Sequence, residues 1–119
     1  MSFQALGKTV REFKGFDTFP APSCTEICLV SDEVTAVCPV TGQPDQYTVR
    51  ICYTPTQLCL ESKSLKLYFQ SLRNAGIFCE ALSAQIAADI HAALAPQSII
   101  VTVTQKPRGG ISIIAKTEL

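Results

Sequence analysis

The sequence of 119 residues lacks several features that would assign it to whole classes of protein. It has no run approaching the roughly 20 apolar residues that a membrane-spanning helix needs. Its first residues, MSFQALGKTVREFKGFDTF, are charged throughout and contain no apolar segment, which is not the pattern of a secretory signal. Ten basic residues balance ten acidic ones, so bulk electrostatics give no reason to expect a nucleic-acid partner. These absences favour a cytoplasmic protein that binds neither membranes nor nucleic acid directly.

The spacing of a metal site is also missing. There are six cysteines but no C-x-x-C pair, and the single histidine, His91, falls inside a predicted helix, so no metal is predicted. An even number of cysteines in a short chain is compatible with disulfides, but a chain without a secretory signal favours reduced thiols. Four cysteines are therefore predicted to be small packing residues, namely Cys24, Cys28, Cys52 and Cys59.

The order of predicted elements indicates an α+β fold. A chain of this length fits one domain, which is predicted to cover 1–119. Apolar residues at helical spacing predict helices over 62–73 and 79–94. Runs rich in β-branched residues predict five strands, over 25–30, 34–38, 47–53, 98–104 and 110–116. Strands on both sides of a helix pair predict an antiparallel sheet with two helices packed on one face, and its open edges favour a homo-oligomer.

Cys38 stands where a predicted strand passes into the loop 39–46. At such a junction it is predicted to be more accessible than the other cysteines, and attack on an electrophile would require its thiolate form. Asp45 follows seven residues later, across a loop that Gly42 and Pro44 can fold back, and a carboxylate beside a thiol is suited to moving protons. From these residues alone, a packing cysteine and a turn-capping aspartate remain an alternative.

Two basic segments offer contacts for anionic groups. Ser62 is predicted to cap a helix whose Lys63 and Lys66 share one face, and helix N–H groups beside two lysines suit a phosphate. Arg108 precedes Gly109-Gly110, where backbone can approach a ligand closely. A solvated helix face and a glycine hairpin are the alternatives.

Glu80 opens the second predicted helix. Its charge is favourable there because of the helix dipole alone, and a carboxylate can also accept the N–H edge of a guanine-like ring. His91 is predicted to be a surface or interface residue without a catalytic role.

Three segments together resemble the NADPH-dependent 7-cyano-7-deazaguanine reductases, the nitrile reductases of queuosine biosynthesis, in their short single-module form. They are CPVTGQPD at 38–45, ESKSLKLY at 61–68 and PRGGI at 107–111. The likeness runs from about Phe19 to Ile113 in the same order and spacing, and ESKSLKLY is specific to these enzymes. It implies the tunnelling fold, whose subunits assemble into rings with active sites at subunit interfaces.

The resemblance also implies a mechanism. Cys38 would add to the nitrile carbon to give a covalent thioimidate, Asp45 would donate the proton, and two hydrides from NADPH would complete an aminomethyl product. The implied substrate residues are Leu60, Glu61, Ser62, Cys79 and Glu80. The implied NADPH residues are Ser62, Lys63, Lys66, Arg108 and Gly109.

The chain departs from the family pattern at Cys79-Glu80, where these enzymes usually have His-Glu. The departure removes a group that carries protons at neutral pH and places a second thiol near Cys38. Two arrangements remain open. In one, both thiols line the same pocket and oxidation would link them; in the other, Cys79 points into the core. Two other functions remain open, an amidinotransferase-like addition of ammonia to the same nitrile on tRNA and a non-catalytic deazapurine-binding ring.

Overall fold

The structure, a computed structural model, describes Phe3, Ala5 and residues 12–119. The strands are β1 (Thr18–Pro20), β2 (Ile27–Val37), β3 (Pro44–Thr54), β4 (Leu58–Leu60), β5 (Ser98–Arg108) and β6 (Ile111–Glu118), and the helices are α1 (Ser62–Ser71) and α2 (Cys79–Leu94). A four-stranded antiparallel sheet has the order β2-β3-β5-β6, and β1 pairs with β4 in a small second sheet. Neither helix is long and apolar enough to cross a membrane.

The core lies between one face of the four-stranded sheet and the two helices. Every second residue of β3 from Tyr47 to Tyr53 is buried, as period-two alternation requires of a strand with one covered face. One row of α2 is almost fully buried against this face, namely Leu82, Ile86, Ile90 and Leu94. Burial of each such side chain contributes about 1.5–3 kcal/mol. The predicted α+β architecture with both helices on one face of an antiparallel sheet is confirmed.

Several predicted boundaries are wrong for identifiable reasons. The runs 25–30 and 34–38 belong to one strand, β2, because a register shift between Ser31 and Val34 lets the chain continue through polar residues. β3 begins at Pro44, so Asp45 lies in the strand, opposite Ala36, and not in a loop. β5 likewise runs on to Arg108, past the last buried residue of its alternating pattern. The short strands β1 and β4 carry too little periodicity to be predicted.

The cysteines do not all behave as predicted. Cys28 and Cys52 are directly opposite each other in the β2–β3 register and form a disulfide, so the prediction of reduced thiols is wrong for this pair. Cys24 is exposed and precedes β2, which begins at Ile27, so it does not share a strand with Cys28. The cause is the strand register, a long-range pairing that cysteine spacing does not reveal.

Candidate active site

Cys38 follows β2 and opens a tight turn that folds back over it. The backbone N–H of Gly42 donates to the Cys38 carbonyl at 2.9 Å, and the Cys38 N–H donates to the Gln43 carbonyl at 2.8 Å. Gly42 has φ +73°, a conformation that favours glycine. The Cys38 side chain is only 5% exposed whereas Cys24 is exposed, so the prediction that Cys38 is the most accessible cysteine is wrong.

This turn stabilises the Cys38 thiolate. The Thr41 hydroxyl, followed by the backbone N–H groups of Thr41 and Val40 and by the Arg108 guanidinium, lowers the pKa of Cys38 to about 7, against an opposing effect of burial. Thr41 is held in place because its Oγ1 also accepts the Gln43 N–H at 3.2 Å. A reactive cysteine needs this kind of donor-rich surrounding. The sequence analysis missed Thr41, although it lies inside the CPVTGQPD segment.

Asp45 is paired with Arg108. The Nη1 atom of Arg108 is 2.8 Å from Oδ1 of Asp45, and the Asp45 side chain is 7% exposed whereas that of Arg108 is 45% exposed. The same guanidinium lies near the Cys38 thiol and contributes to the lowering of its pKa. Arg108 therefore links the two residues of the predicted catalytic pair.

The β5–β6 hairpin explains how Arg108 reaches this place. Gly109 and Gly110 both have positive φ, +63° and +79°, and form the two-residue turn between Arg108 and its register partner Ile111. A register shift between Gln105 and Arg108 changes the side-chain alternation just before the turn.

The segment between α1 and α2 lies against the strand end that carries Cys38. The Val37 N–H donates to the Ala75 carbonyl at 2.9 Å, and the Ile77 N–H donates to the Val37 carbonyl at 3.1 Å. A Cβ atom on Gly76 would lie 3.6 Å from Cα of Pro39, so the two segments approach closely. These contacts hold the segment that leads into α2 against Val37 and Pro39, the residues on either side of Cys38.

Cys79 and Glu80 differ sharply in their surroundings. The Cys79 Sγ donates weakly to the carbonyls of Val103 at 3.6 Å and Ile113 at 3.8 Å, and burial, followed by the charge of Glu80, raises the pKa of this thiol. Cys79 thus points towards the sheet, and it and Cys38 are both free thiols. Glu80, the next residue, is exposed.

Tyr47 is a buried neighbour of this site that sequence reasoning missed. Its side chain is fully buried, and within the described residues its hydroxyl is the one buried side-chain polar atom without a hydrogen-bond partner. Burial, followed by the charges of Asp45 and Cys79, raises the pKa of Tyr47 to about 12. The hydroxyl is therefore neutral at physiological pH.

A second group of predicted site residues lies at the start of α1. Glu61, not Ser62, is the N-cap: its Oε1 accepts the Ser64 N–H and its Oε2 accepts the Lys63 N–H, both at 2.7 Å. The prediction that Ser62 caps the helix is wrong. The backbone at Glu61 is extended, so the side chain of Glu61 reaches the N–H groups of the first turn. Ser62 itself is exposed in that turn.

The residues near Glu61 in the chain differ in their hydrogen bonds and in their exposure. Leu60 is buried, and its N–H donates to the Tyr53 hydroxyl at 2.9 Å. The Lys63 ammonium donates to the Ala5 carbonyl at 3.0 Å, whereas Lys66 is exposed. Lys63 and Lys66 consequently do not present their charges as the equivalent pair that the sequence predicts.

A groove of about 320 Å³ separates α1 from the edge strand β2. Ser62 and Lys66 line it, together with Arg73, a third polar residue that sequence reasoning missed. Leu65 and Phe69 supply apolar surface, and the lining reaches Thr35 but does not include Cys38.

Within one chain, the predicted site residues therefore fall into two groups. The first contains Cys38, Asp45, Arg108 and Cys79, which all act on the buried Tyr47, together with the chain neighbours Gly109 and Glu80. The second lies at the start of α1 and contains Leu60, Glu61, Ser62, Lys63 and Lys66. Arg108 thus lies with Cys38 and Asp45. In the part of the chain that the structure describes, no cluster of three or more His, Cys, Asp or Glu side chains is placed to hold a metal ion.

Comparisons with known proteins agree with this arrangement. A family model described as "QueF-like protein" matches residues 44–118. A relative from Chlorobium phaeovibrioides, named NADPH-dependent 7-cyano-7-deazaguanine reductase, is 48% identical over 81% of this chain and 82% of its own. A relative of the same name from Syntrophus aciditrophicus is 42% identical over 95% of this chain and 83% of its own. A solved structure titled as the archaeosine synthase QueF-Like in the apo form has a TM-score of 0.76 and 25% identity, covering 82% of this chain and 95% of that one.

Proposed function

This chain belongs to the QueF-like family that includes the NADPH-dependent 7-cyano-7-deazaguanine reductases, and we propose that it catalyses the reaction for which those relatives are named. It would reduce the nitrile of 7-cyano-7-deazaguanine to an aminomethyl group. The observation that carries this proposal is Cys38, a thiol whose pKa is lowered to about 7 and which shares Arg108 with the Asp45 carboxylate. A nitrile carbon is an electrophile that such a thiolate can attack.

Cys38 and Asp45 would carry out the covalent step. The Cys38 proton passes to the Asp45 carboxylate, the sulfur then bonds to the nitrile carbon, and the electron pair released from the C≡N bond takes the same proton from Asp45 onto nitrogen. The product is a thioimidate, and Asp45 returns to its carboxylate form. A residue that first accepts and then donates a proton must come within hydrogen-bond reach of both atoms. Support for this role comes from Arg108, which pairs with Asp45 at 2.8 Å and also lowers the pKa of Cys38.

The remaining predicted substrate residues would hold the ring. Glu80 is exposed beside the buried Cys79, so its carboxylate is available to accept the N–H edge of the deazaguanine. Glu61 already accepts two backbone N–H groups, but two carboxylate oxygens offer about four acceptor sites, so capping α1 leaves capacity for a ligand. Leu60 and Ser62, the other predicted substrate residues, are the chain neighbours of Glu61.

The groove beside α1 has the chemistry to receive the phosphates of NADPH. Ser62 offers a hydroxyl, and Lys66 and Arg73 offer positive charges at the wall of this groove. Lys63 and Gly109, with Arg108, complete the set that the family resemblance implies. Two molecules of NADPH, bound one after the other, would each supply one of the two hydrides that the reduction consumes.

We further propose that subunits assemble so that active sites form at their interfaces. Two observations support this. The predicted site residues divide into two groups in one chain, and within the described residues no named strand pairs with the outer edge of β6 or with that of β2, where a single bridge joins Val37 to Gly76. Exposed apolar side chains accompany these edges, with Val30 65% and Ile114 69% exposed. A ring would cover them and bring groups from neighbouring subunits together.

The direct test is NADPH consumption. We expect absorbance of NADPH to fall when the free nitrile base is added to the protein, and mass spectrometry to detect the aminomethyl product. Loss of turnover in Cys38→Ala would tie the reaction to the thiol. Binding of the base without NADPH consumption or product would contradict the proposed reduction.

The alternative is addition of ammonia to the nitrile, which also begins with a cysteine adduct. It is favoured by one observation, the structural similarity to a protein titled as an archaeosine synthase. That similarity is at 25% identity, whereas the relatives named as reductases reach 50%. Incubation with the nitrile and ammonium salt, without NADPH, separates the two functions, since only the alternative predicts an amidine product.

A further inference from the structure

We propose that Arg108 is the positioning residue that holds Cys38 and Asp45 together as a reactive pair before any substrate or cofactor binds. This inference rests on the proposed function and adds to it, because the family resemblance implies only a cofactor contact for Arg108. The carrying observation is that one guanidinium pairs with Asp45 at 2.8 Å at the end of the β5–β6 hairpin and also lies near Cys38, the residue that opens the turn between β2 and β3.

The fold builds this arrangement from two distant parts of the chain. Cys38 and Asp45 flank the β2–β3 connection, whereas Arg108 is the last residue of β5, directly before the glycine turn. An arginine presents five N–H donors in a rigid fork, so it can serve a carboxylate and a sulfur at once. A lysine ammonium on a flexible stem lacks that fixed geometry.

The guanidinium reduces the repulsion between the Asp45 carboxylate and the Cys38 thiolate. A carboxylate close to a thiol disfavours the thiolate, because two negative charges then face each other. Among the described residues, the charged and titratable groups around Cys38 are Asp45, Tyr47, Cys79 and Arg108, and Arg108 is the one cation in this set. Its charge offsets that of Asp45 and adds to the donors that Thr41 and Val40 direct at the sulfur.

Arg108 would stay protonated throughout the covalent step. The proton that leaves Cys38 goes to Asp45 and then to the nitrile nitrogen, while the guanidinium changes only its hydrogen-bond partners. Its function is therefore to orient the two groups and to stabilise the thiolate, and it transfers nothing itself.

Alkylation of the free protein tests this directly. Iodoacetamide reacts with thiolates, so labelling of the Cys38 peptide, measured by mass spectrometry from about pH 5 to about pH 10, reports the pKa of this thiol. We expect the wild-type midpoint near pH 7. Arg108→Met should raise the midpoint measurably, by a part of the shift that Thr41 and Val40 leave in place, and Arg108→Lys should restore part of the difference.

Lys106→Met is the matched control. Lys106 is an exposed cation two residues earlier on the same strand, and its ammonium donates to the Asp32 carbonyl at 3.4 Å. This variant removes the same charge from the same hairpin and should leave the midpoint unchanged. The exposed Cys24 gives an internal reference for reagent and pH.

The outcomes separate this inference from the proposed function. The experiment needs neither nitrile nor NADPH, so a shifted midpoint supports the role of Arg108 even in a protein that does not reduce the nitrile. Midpoints equal to wild type in both Arg108 variants, each folded by circular dichroism, would overturn the inference. In that case a raised KM for NADPH alone would assign Arg108 to the cofactor.

Discussion

Individual residues around Cys38 act on it in opposite directions. The Thr41 hydroxyl lowers the pKa of the thiol, whereas burial raises it, and the result near 7 means that much of the thiol is ionised at neutral pH. Cys79, which like Cys38 acts on Tyr47, has its pKa raised by burial. The two thiols therefore differ in their tendency to ionise, and Cys38 has the surroundings that a reactive cysteine needs.

The first prediction concerns the buried hydroxyl of Tyr47. Because this hydroxyl has no partner within the described residues, Tyr47→Phe should leave the free energy of unfolding unchanged or raise it by up to about 1 kcal/mol. Tyr53→Phe is the matched control, since the Tyr53 hydroxyl accepts the buried Leu60 N–H. Its removal should lower the free energy of unfolding by about 1–2 kcal/mol.

Denaturant unfolding followed by circular dichroism measures both variants. Equal destabilisation by the two substitutions would mean that the Tyr47 hydroxyl is hydrogen-bonded after all.

At the scale of elements, the N-terminus of α1 depends on one side chain. Glu61 accepts two backbone N–H groups at 2.7 Å and is itself buried, so Glu61→Ala should lower the free energy of unfolding by about 1–2 kcal/mol. Glu80→Ala removes an acid from the first turn of α2 without removing a capping bond and should cost about 0.5 kcal/mol. Urea midpoints of the two variants decide this, and an equal loss would argue against Glu61 as the cap.

The groove beside α1 gives the third prediction. Lys66→Ala removes a positive charge from the groove wall, so the KM for NADPH should rise about tenfold, equivalent to about 1.4 kcal/mol. Adduct formation at Cys38 should not change, because Cys38 is not part of the groove. Steady-state kinetics with Lys106→Ala as the charge-matched control test this, and a blocked adduct with an unaltered KM would assign Lys66 to the wrong group.

Sequence periodicity predicts the helices and strands better than it predicts which of their residues contact each other. The spacing of Leu82, Ile86, Ile90 and Leu94 predicts α2 with its observed bounds, since a helix buries a row that local sequence defines. The pairing of Cys28 with Cys52 and of Asp45 with Arg108 depends on sheet register and a hairpin turn. Such contacts join residues more than twenty positions apart, so no local pattern reveals them.

At the scale of the whole molecule, we expect the sheet edges to mediate the proposed assembly. Ile114 is exposed on the edge strand β6, so Ile114→Lys should reduce the oligomer to smaller species and reduce turnover with it. Ala84→Lys, on the exposed surface of α2, is the control and should leave the oligomer intact. Sedimentation velocity measures both, and a wild-type protein that is monomeric and fully active would contradict assembly at these edges.

The family and the α+β architecture predicted from the sequence are confirmed. The CPVTGQPD, ESKSLKLY and PRGGI segments carried the family resemblance, and relatives 42–50% identical bear the expected name. The single domain, the ring assembly, the cytoplasmic location and the roles of individual site residues stay predictions. The ring assembly and the roles of the site residues depend on ligands and on contacts between chains, which one subunit does not contain.

The central claim is that Cys38 attacks the nitrile, and intact-protein mass spectrometry tests it most directly. With the nitrile base and no NADPH, the mass should rise by one base, the adduct should map to Cys38, and it should be absent in Cys38→Ala. Since the thiolate form increases as pH rises through about 7, the adduct should form faster at about pH 8 than at about pH 6. A protein that binds the base but keeps its unmodified mass would contradict the account.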